Sequence, residues 1–180
     1  MGETFFDAKT IEAVRRAKRI LVVGCPGSGK SYFAKKIAKS LSLPLYHLDN
    51  IYWKEDKTHL SREALKEALK PIFQLGEYVL DGNYKSTLDY RMEYADVVFF
   101  LDYALDTCLA GARERLGIKR DDLPFVPDEE DQKLLFESIK SFASEDRPLL
   151  LECFARHEKV PVITFANREE EDEFLRNAFK

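Results

Sequence analysis

Five short apolar runs punctuate a chain whose remaining hydrophobic residues mostly recur at helical spacing. They are Ile20-Leu21-Val22-Val23; Leu43-Pro44-Leu45-Tyr46-His47-Leu48-Asp49; Tyr78-Val79-Leu80, ending in Asp81-Gly82; Val97-Val98-Phe99-Phe100-Leu101, ending in Asp102; and Val160-Pro161-Val162-Ile163-Thr164-Phe165. Runs this short, bounded by turn and charged residues, predict buried strands. Between them the period changes. Residues 7–18 put Ile11, Val14 and Ala17 on one side, with Lys9, Arg15, Arg16 and Lys18 on the others. Phe33, Ile37 and Leu41 follow the first strand at spacings of four. Ser61 is placed to cap a helix bearing Leu65, Leu69, Ile72 and Phe73, with Gly76 to stop it. Further helices are predicted over 86–94, 105–116, 130–142, 148–157 and 169–179, the last opening on acidic residues. Residues 117–128 are the least regular stretch.

Strands alternating with helices define an α/β protein with a parallel sheet covered on both faces. Ligands of such sheets sit at the carboxyl ends of the strands. That rule gathers the turn after the first strand with Asp49, Asp81 and Asp102.

The turn after the first strand has chemistry of its own. Gly24-Cys25-Pro26-Gly27-Ser28-Gly29-Lys30-Ser31 is a complete G-x-x-x-x-G-K-[ST] phosphate loop between a strand and a helix, the setting this motif requires. Glycine lets the backbone curl with successive N–H groups pointing inward, and the helix N-terminus adds positive potential. Lys30 is expected to reach the β- and γ-phosphates, and Ser31 to offer its hydroxyl to Mg²⁺. Cys25 and Pro26 fill variable positions.

Composition narrows the field. At 180 residues and 45% hydrophobic, the chain is expected to form one domain over 1–180 with a full core. A net charge of -4 argues against direct DNA binding and against anionic membranes. The three cysteines, Cys25, Cys108 and Cys153, lack paired metal spacing, and the three histidines are scattered, so neither a disulfide framework nor a zinc site is expected. His47, His59 and His157 read as packing or surface groups. No apolar signal core or membrane-length run is present, which gives a cytoplasmic expectation.

Five stretches carry a family resemblance: the phosphate loop; Leu43–Asp49 followed by Trp53; Asp81-Gly82-Asn83-Tyr84; Thr87-Leu88-Asp89-Tyr90-Arg91; and Arg147-Pro148 through the last strand. The chain resembles the small P-loop proteins known as DNA topology modulation proteins, relatives of adenylate and shikimate kinases. Tyr32 stands where that family usually has Thr, and residues 1–18 form an N-terminal helical extension outside the family pattern. The resemblance implies a three-layer P-loop NTPase fold, adenylate-kinase-like, with five parallel strands in the order 2-3-1-4-5 and a lid over about 113–128. It implies ATP and Mg²⁺ as ligands. The nucleotide would lie against Gly24 through Tyr32 and be bordered by Asn167 and Arg168.

Phosphoryl transfer needs held phosphates, a metal, an oriented acceptor and cations for the developing charge. By similarity to nucleoside-monophosphate kinases, Asp81 is preferred over Asp102 for holding Mg²⁺ together with Ser31. Asp49 is expected to bind an acceptor hydroxyl or act as general base. Trp53, beside Tyr52, either stacks on the acceptor or packs. Arg91, with its planar fork, suits an anionic acceptor or a salt bridge. Lid candidates for the transferred phosphoryl are Arg113, Arg115 and Arg120, with Arg147 a fourth. Arg113 and Arg115 cannot share one helix face. The favoured function is an ATP-dependent kinase of a small molecule or nucleotide, its acceptor unidentified. The alternative is a nucleotide-dependent regulator acting on DNA topology or a protein partner. A GTPase is disfavoured because Asn167-Arg168-Glu169-Glu170 is not N-K-x-D. Oligomeric state has no sequence signal.

Overall fold

The computed structural model describes residues 6–179. Of the expected extension over 1–18, residues 1–5 lie outside the described residues. Helix α1 (Ala8–Arg16) starts where the Asp7 side chain accepts from Thr10 N, and it leads into β1 (Arg19–Gly24). The chain continues through α2 (Lys30–Leu41), β2 (Leu45–His47), α3 (Leu48–Tyr52), α4 (Arg62–Leu75) and β3 (Tyr78–Asp81). It then forms α5 (Lys85–Met92), β4 (Val97–Leu101) and α6 (Leu105–Arg113). After the irregular segment come α7 (Glu129–Ser141), α8 (Asp146–Arg156), β5 (Val162–Phe165) and α9 (Arg168–Ala178).

The five strands are parallel, in the order β2-β3-β1-β4-β5. This is the expected α/β, adenylate-kinase-like order. β1 is central, with Val22 opposite Asp81 on one side and Gly24 opposite Leu101 on the other. Ile20 through Val23 and Phe99 are fully buried because helices cover both faces. On one face Phe33, Phe99, Phe165 and Phe174 pack edge-to-face and stacked, with centroids 4.9–6.0 Å apart. Beside them α1 packs on α9, and Arg15 Nε donates to Ala178 O at 2.7 Å, satisfying a carbonyl at the helix end. Arg16 pairs with Glu12 and Lys18 with Glu77. Three of the four basic residues of this segment are thus engaged locally.

Two boundaries differ from the sequence pattern. β2 stops at His47, and Asp49 lies in α3 rather than at a strand end. The reason is register: His47 pairs with Asp81, the last residue of β3, so the ladder has no partner beyond it. The chain turns there and buries Leu48 against Gly82, where a Cβ would lie 2.8 Å from that of Leu48. β5 begins at Val162, opposite Val98, two residues later than the apolar run suggests. No helix among the described residues is long and apolar enough to cross a membrane.

Candidate active site

The turn from β1 to α2 is built by backbone geometry. Gly24, Gly27 and Gly29 have φ of 149°, 83° and 97°, a region that L side chains rarely enter. Space forbids a side chain as well. A Cβ on Gly27 would lie 2.1 Å from Cys108 O, and one on Gly111 of α6 would lie 2.2 Å from Gly27 O. The loop therefore rests directly on the backbone of α6. Asn83, just after β3, pins its start: Gly24 N donates to Asn83 Oδ1 at 2.9 Å, and Asn83 Nδ2 donates to Gly24 O at 2.7 Å. Lys30 Nζ donates to Gly24 O and Cys25 O, both at 3.0 Å. Burial pushes its ammonium below the ordinary value, with Asp81 and Asp49 among the groups opposing that shift. Ser28 Oγ is buried with no partner among the described residues. A curled loop, a lysine, a helix N-terminus and an orphaned hydroxyl fit a phosphate group.

A cavity of about 600 Å³ opens from this loop and is lined by Gly27, Lys30, Ser31, Asp49, Trp53 and Asp81 among others. A second space of about 530 Å³ runs along α2 and is lined by Tyr32, Lys35, Arg115 and Arg168 among others. Ser31, Arg115, Arg120 and Asp122 border both.

In the first cavity Asp81 is buried, and its Oδ1 lies 2.6 Å from His47 Nδ1. Burial, the largest single influence, disfavours the His47 cation, but the hydrogen bond and charge of Asp81 and the charge of Asp122 together outweigh it and raise the His47 pKa. The rival carboxylate, Asp102, borders neither cavity; Arg147 grips it with bonds of 2.7–3.0 Å. Arg147 is thereby held by Asp102 and borders neither cavity.

Asp49 projects from the first turn of α3 and accepts from the Tyr84 hydroxyl at 2.5 Å. Burial raises its pKa, although the Tyr84 bond and the charge of Lys30 oppose that. Tyr84 itself holds a left-handed backbone, φ 35°, a strained state that persists only when its surroundings enforce it. Arg91 is part of those surroundings. It is fully buried, and its guanidinium donates to Gly82 O at 3.0 Å, to Tyr84 O at 3.3 Å and to Asn83 O. Burial lowers its pKa to about 10. The expected acceptor-binding arginine is therefore a clamp behind the cavity wall, and it does not line the cavity.

The segment expected to be a lid, about 113–128, lies over the site. Lys35 Nζ pairs with Asp121 at 2.7 Å, and Asn50 Nδ2 donates to Asp121 O at 2.8 Å. Arg120 holds Asp122 with two bonds of 2.5 and 2.7 Å. Burial works against the Asp122 carboxylate, but Arg120 and the Ser31 hydroxyl overcome it and hold its pKa far below the usual range. Lys57 Nζ reaches Asp131 at 2.7 Å and also pairs with Asp128, while Trp53 meets Phe125 edge-on at 5.9 Å. Of the three lid arginines, Arg115 and Arg120 border the cavities. Arg113 is exposed, faces Phe136 and borders neither.

On the nucleotide side, Arg168 and Tyr32 border the second space, with Lys36 Nζ 4.4 Å above the Tyr32 ring. Asn167 does not border it; its side chain accepts from Glu170 N and caps α9. His47, Asn83, Tyr84 and Asp122 belong to the site although sequence patterning gave them no role. Asn83 and Tyr84 had a signal in their place directly after a strand-end carboxylate. Asp122 had none, being one acid in an irregular charged stretch.

No protein-family model matches the chain, and no curated protein matches it in sequence. Solved structures do match in fold. Shikimate kinase from Bacteroides thetaiotaomicron superposes with a TM-score of 0.55 at 16% identity, covering 89% of this chain and 96% of that one. Shikimate kinase from Acinetobacter baumannii, in complex with shikimate, gives 0.57 at 15% identity, covering 93% and 94%. A gluconokinase from Sinorhizobium meliloti 1021 gives 0.51 at 18% identity, covering 89% and 91%. The chain thus has the α/β P-loop fold of these kinases. None of these comparisons supports the DNA topology modulation designation.

Proposed function

We propose that this protein is an ATP-dependent kinase of a small hydroxyl-bearing molecule. One observation carries the reading: a single cavity joins the phosphate loop residues Lys30 and Ser31 to the partly buried carboxylate of Asp49. Its volume of about 600 Å³ suits a metabolite-sized ligand. The shared fold with shikimate kinase and gluconokinase structures supports the same class.

In this reading Gly24 through Ser31 hold the triphosphate, with Tyr32 and Arg168 along its nucleoside side. Ser31 and Asp81 would hold Mg²⁺, which would supply neutralisation of the phosphate charge. Asp49 takes the proton of the acceptor hydroxyl, and Tyr84 fixes its orientation. Arg115 and Arg120 face the transferred phosphoryl. The acceptor end presents Asp49 beside Trp53 and Phe125, while Asp131 and Asp146 there are paired with Lys57 and Lys85. Its lysine, Lys57, is engaged by Asp128 and Asp131, and Arg91 is withdrawn behind the wall. That balance favours a neutral or cationic acceptor such as a polyol, sugar or amino alcohol over an anionic one.

A regulator acting on DNA topology finds less support, because most basic groups of the α1 segment are paired with neighbouring residues. The test is ADP formation from Mg-ATP across a panel of neutral, cationic and anionic alcohols. Acceptor-dependent ADP release with neutral or cationic alcohols is expected. ADP release indifferent to every acceptor would overturn the kinase reading.

A further inference from the structure

On the side of the molecule away from both cavities, α5 packs against α8, and three metal-ligating side chains converge. Asp89, Cys153 and His157 each bring one ligand atom to within 4.8 Å of the others. Cys153 and His157 stand four residues apart at the C-terminal end of α8, so one helix face presents both. Asp89 arrives from α5, 64 residues before Cys153 in the chain.

Two of the three ligand separations lie close to those of a zinc shell, and the third is under 4.8 Å. Cys153 Sγ lies 3.4 Å from Asp89 Oδ1, and His157 Nε2 lies 3.2 Å from the same oxygen. Sulfur, nitrogen and oxygen ligands bound tetrahedrally to zinc stand about 3.3–3.6 Å from one another. The thiol is buried and the imidazole partly so, while the carboxylate faces solvent. That leaves a side from which water can complete the tetrahedron. Arg156 donates to Asp89 Oδ2 at 2.7 Å and to Oδ1 at 2.9 and 3.2 Å, so zinc would displace its bonds to Oδ1 and leave the one to Oδ2; Arg156 is itself held by Glu152 at 3.1 Å. It fixes the carboxylate plane, as partners of metal-binding carboxylates do. The negative end of the α8 dipole adds favourable potential for a cation.

We propose that Asp89, Cys153 and His157 form a zinc site, with water as fourth ligand, that ties α5 to α8. Binding replaces the thiol proton, which leaves to solvent, with a zinc–sulfur bond. The chain lacks the paired-cysteine spacing that announces zinc in a sequence, because the third ligand is supplied by tertiary packing. Zinc there would brace α5, which carries Arg91, whose guanidinium shapes the wall at Gly82–Tyr84.

The test titrates the EDTA-treated full chain with Co²⁺. Wild type is expected to bind one equivalent with a near-ultraviolet thiolate-to-cobalt absorption band, displaced by Zn²⁺. Cys153→Ser should abolish the band. His157→Ala, at a partly exposed position that spares the core, should weaken binding more than about tenfold. Zinc should also raise the melting temperature of wild type and not that of His157→Ala. Absence of a thiolate band, or one that survives in Cys153→Ser, would overturn the proposal.

Discussion

The donor and acceptor regions of this site are built in opposite ways. The donor region is contiguous: eight consecutive residues, Gly24 to Ser31, curl between β1 and α2, and their backbone does most of the work. The acceptor region is assembled from side chains that arrive separately. Asp49 comes from α3, Asp81 from the end of β3, Tyr84 from the turn after it, and Asp122 from the lid segment. Continuity makes the first insensitive to which molecule accepts the phosphoryl group. Dispersal makes the second adjustable, because each wall residue sits on a different element.

If the two regions are functionally distinct, substitutions should separate binding of ATP from transfer. The largest effect is expected at Asp49. Asp49→Asn should lower acceptor-dependent kcat by about 10²–10⁴-fold while ATP affinity changes little. Burial raises the Asp49 pKa above its ordinary 3.8, so the acid limb of kcat/KM should lie above that value and activity should fall as pH drops through it. Next is Lys30→Ala, expected to reduce turnover by about 10²–10³-fold and to weaken ATP binding, with circular dichroism unchanged. An acceptor-side variant that lost ATP binding as fully as Lys30→Ala would erase the distinction.

Two smaller effects sharpen it. Arg91→Leu should cost about 1–3 kcal/mol of stability, because buried carbonyls lose their donors. A denaturant melt reads that cost, and acceptor KM should rise while ATP affinity holds. Gly111→Ala should do the reverse. Its Cβ would meet Gly27 O at 2.2 Å, which displaces the phosphate loop at an overpacking cost of about 1–3 kcal/mol. Calorimetric titration with ATP should then show weakened binding with the acceptor wall intact.

The smallest effect concerns His47. Its folded-state pKa is raised above 6.5. The stabilisation from its pair with Asp81 is therefore fully present below about pH 6.5 and fades as pH rises through the folded value. The gap in melting temperature between wild type and His47→Gln should be widest at acidic pH and should close toward alkaline pH.

The same contrast explains what could be read from sequence. The strands and the phosphate loop were legible because strand runs and a contiguous motif are local patterns, whereas the strand order came from the family resemblance. Asp49 and Asp81 were legible as carboxylates near strand ends, although Asp49 proved to sit in the first turn of a short helix. Arg91 misled, since an arginine one short segment after a strand-end carboxylate looks the same in sequence whether its guanidinium faces a ligand or three backbone carbonyls. Arg113 and Arg115 differ by two positions, and helix geometry required them to diverge without saying which would face the site. Asp122 and His47 owe their places to tertiary register: one to the lid folding onto Ser31, the other to β2 stopping opposite Asp81.

The most direct test of the central claim follows γ-labelled ATP in a single turnover with the best acceptor, comparing wild type with Asp49→Asn at equal ATP occupancy. The account expects label to move from ATP to the acceptor in wild type, one phosphoryl per ADP, and to remain on ATP in the variant. Label released as inorganic phosphate in both proteins at the same rate would contradict it.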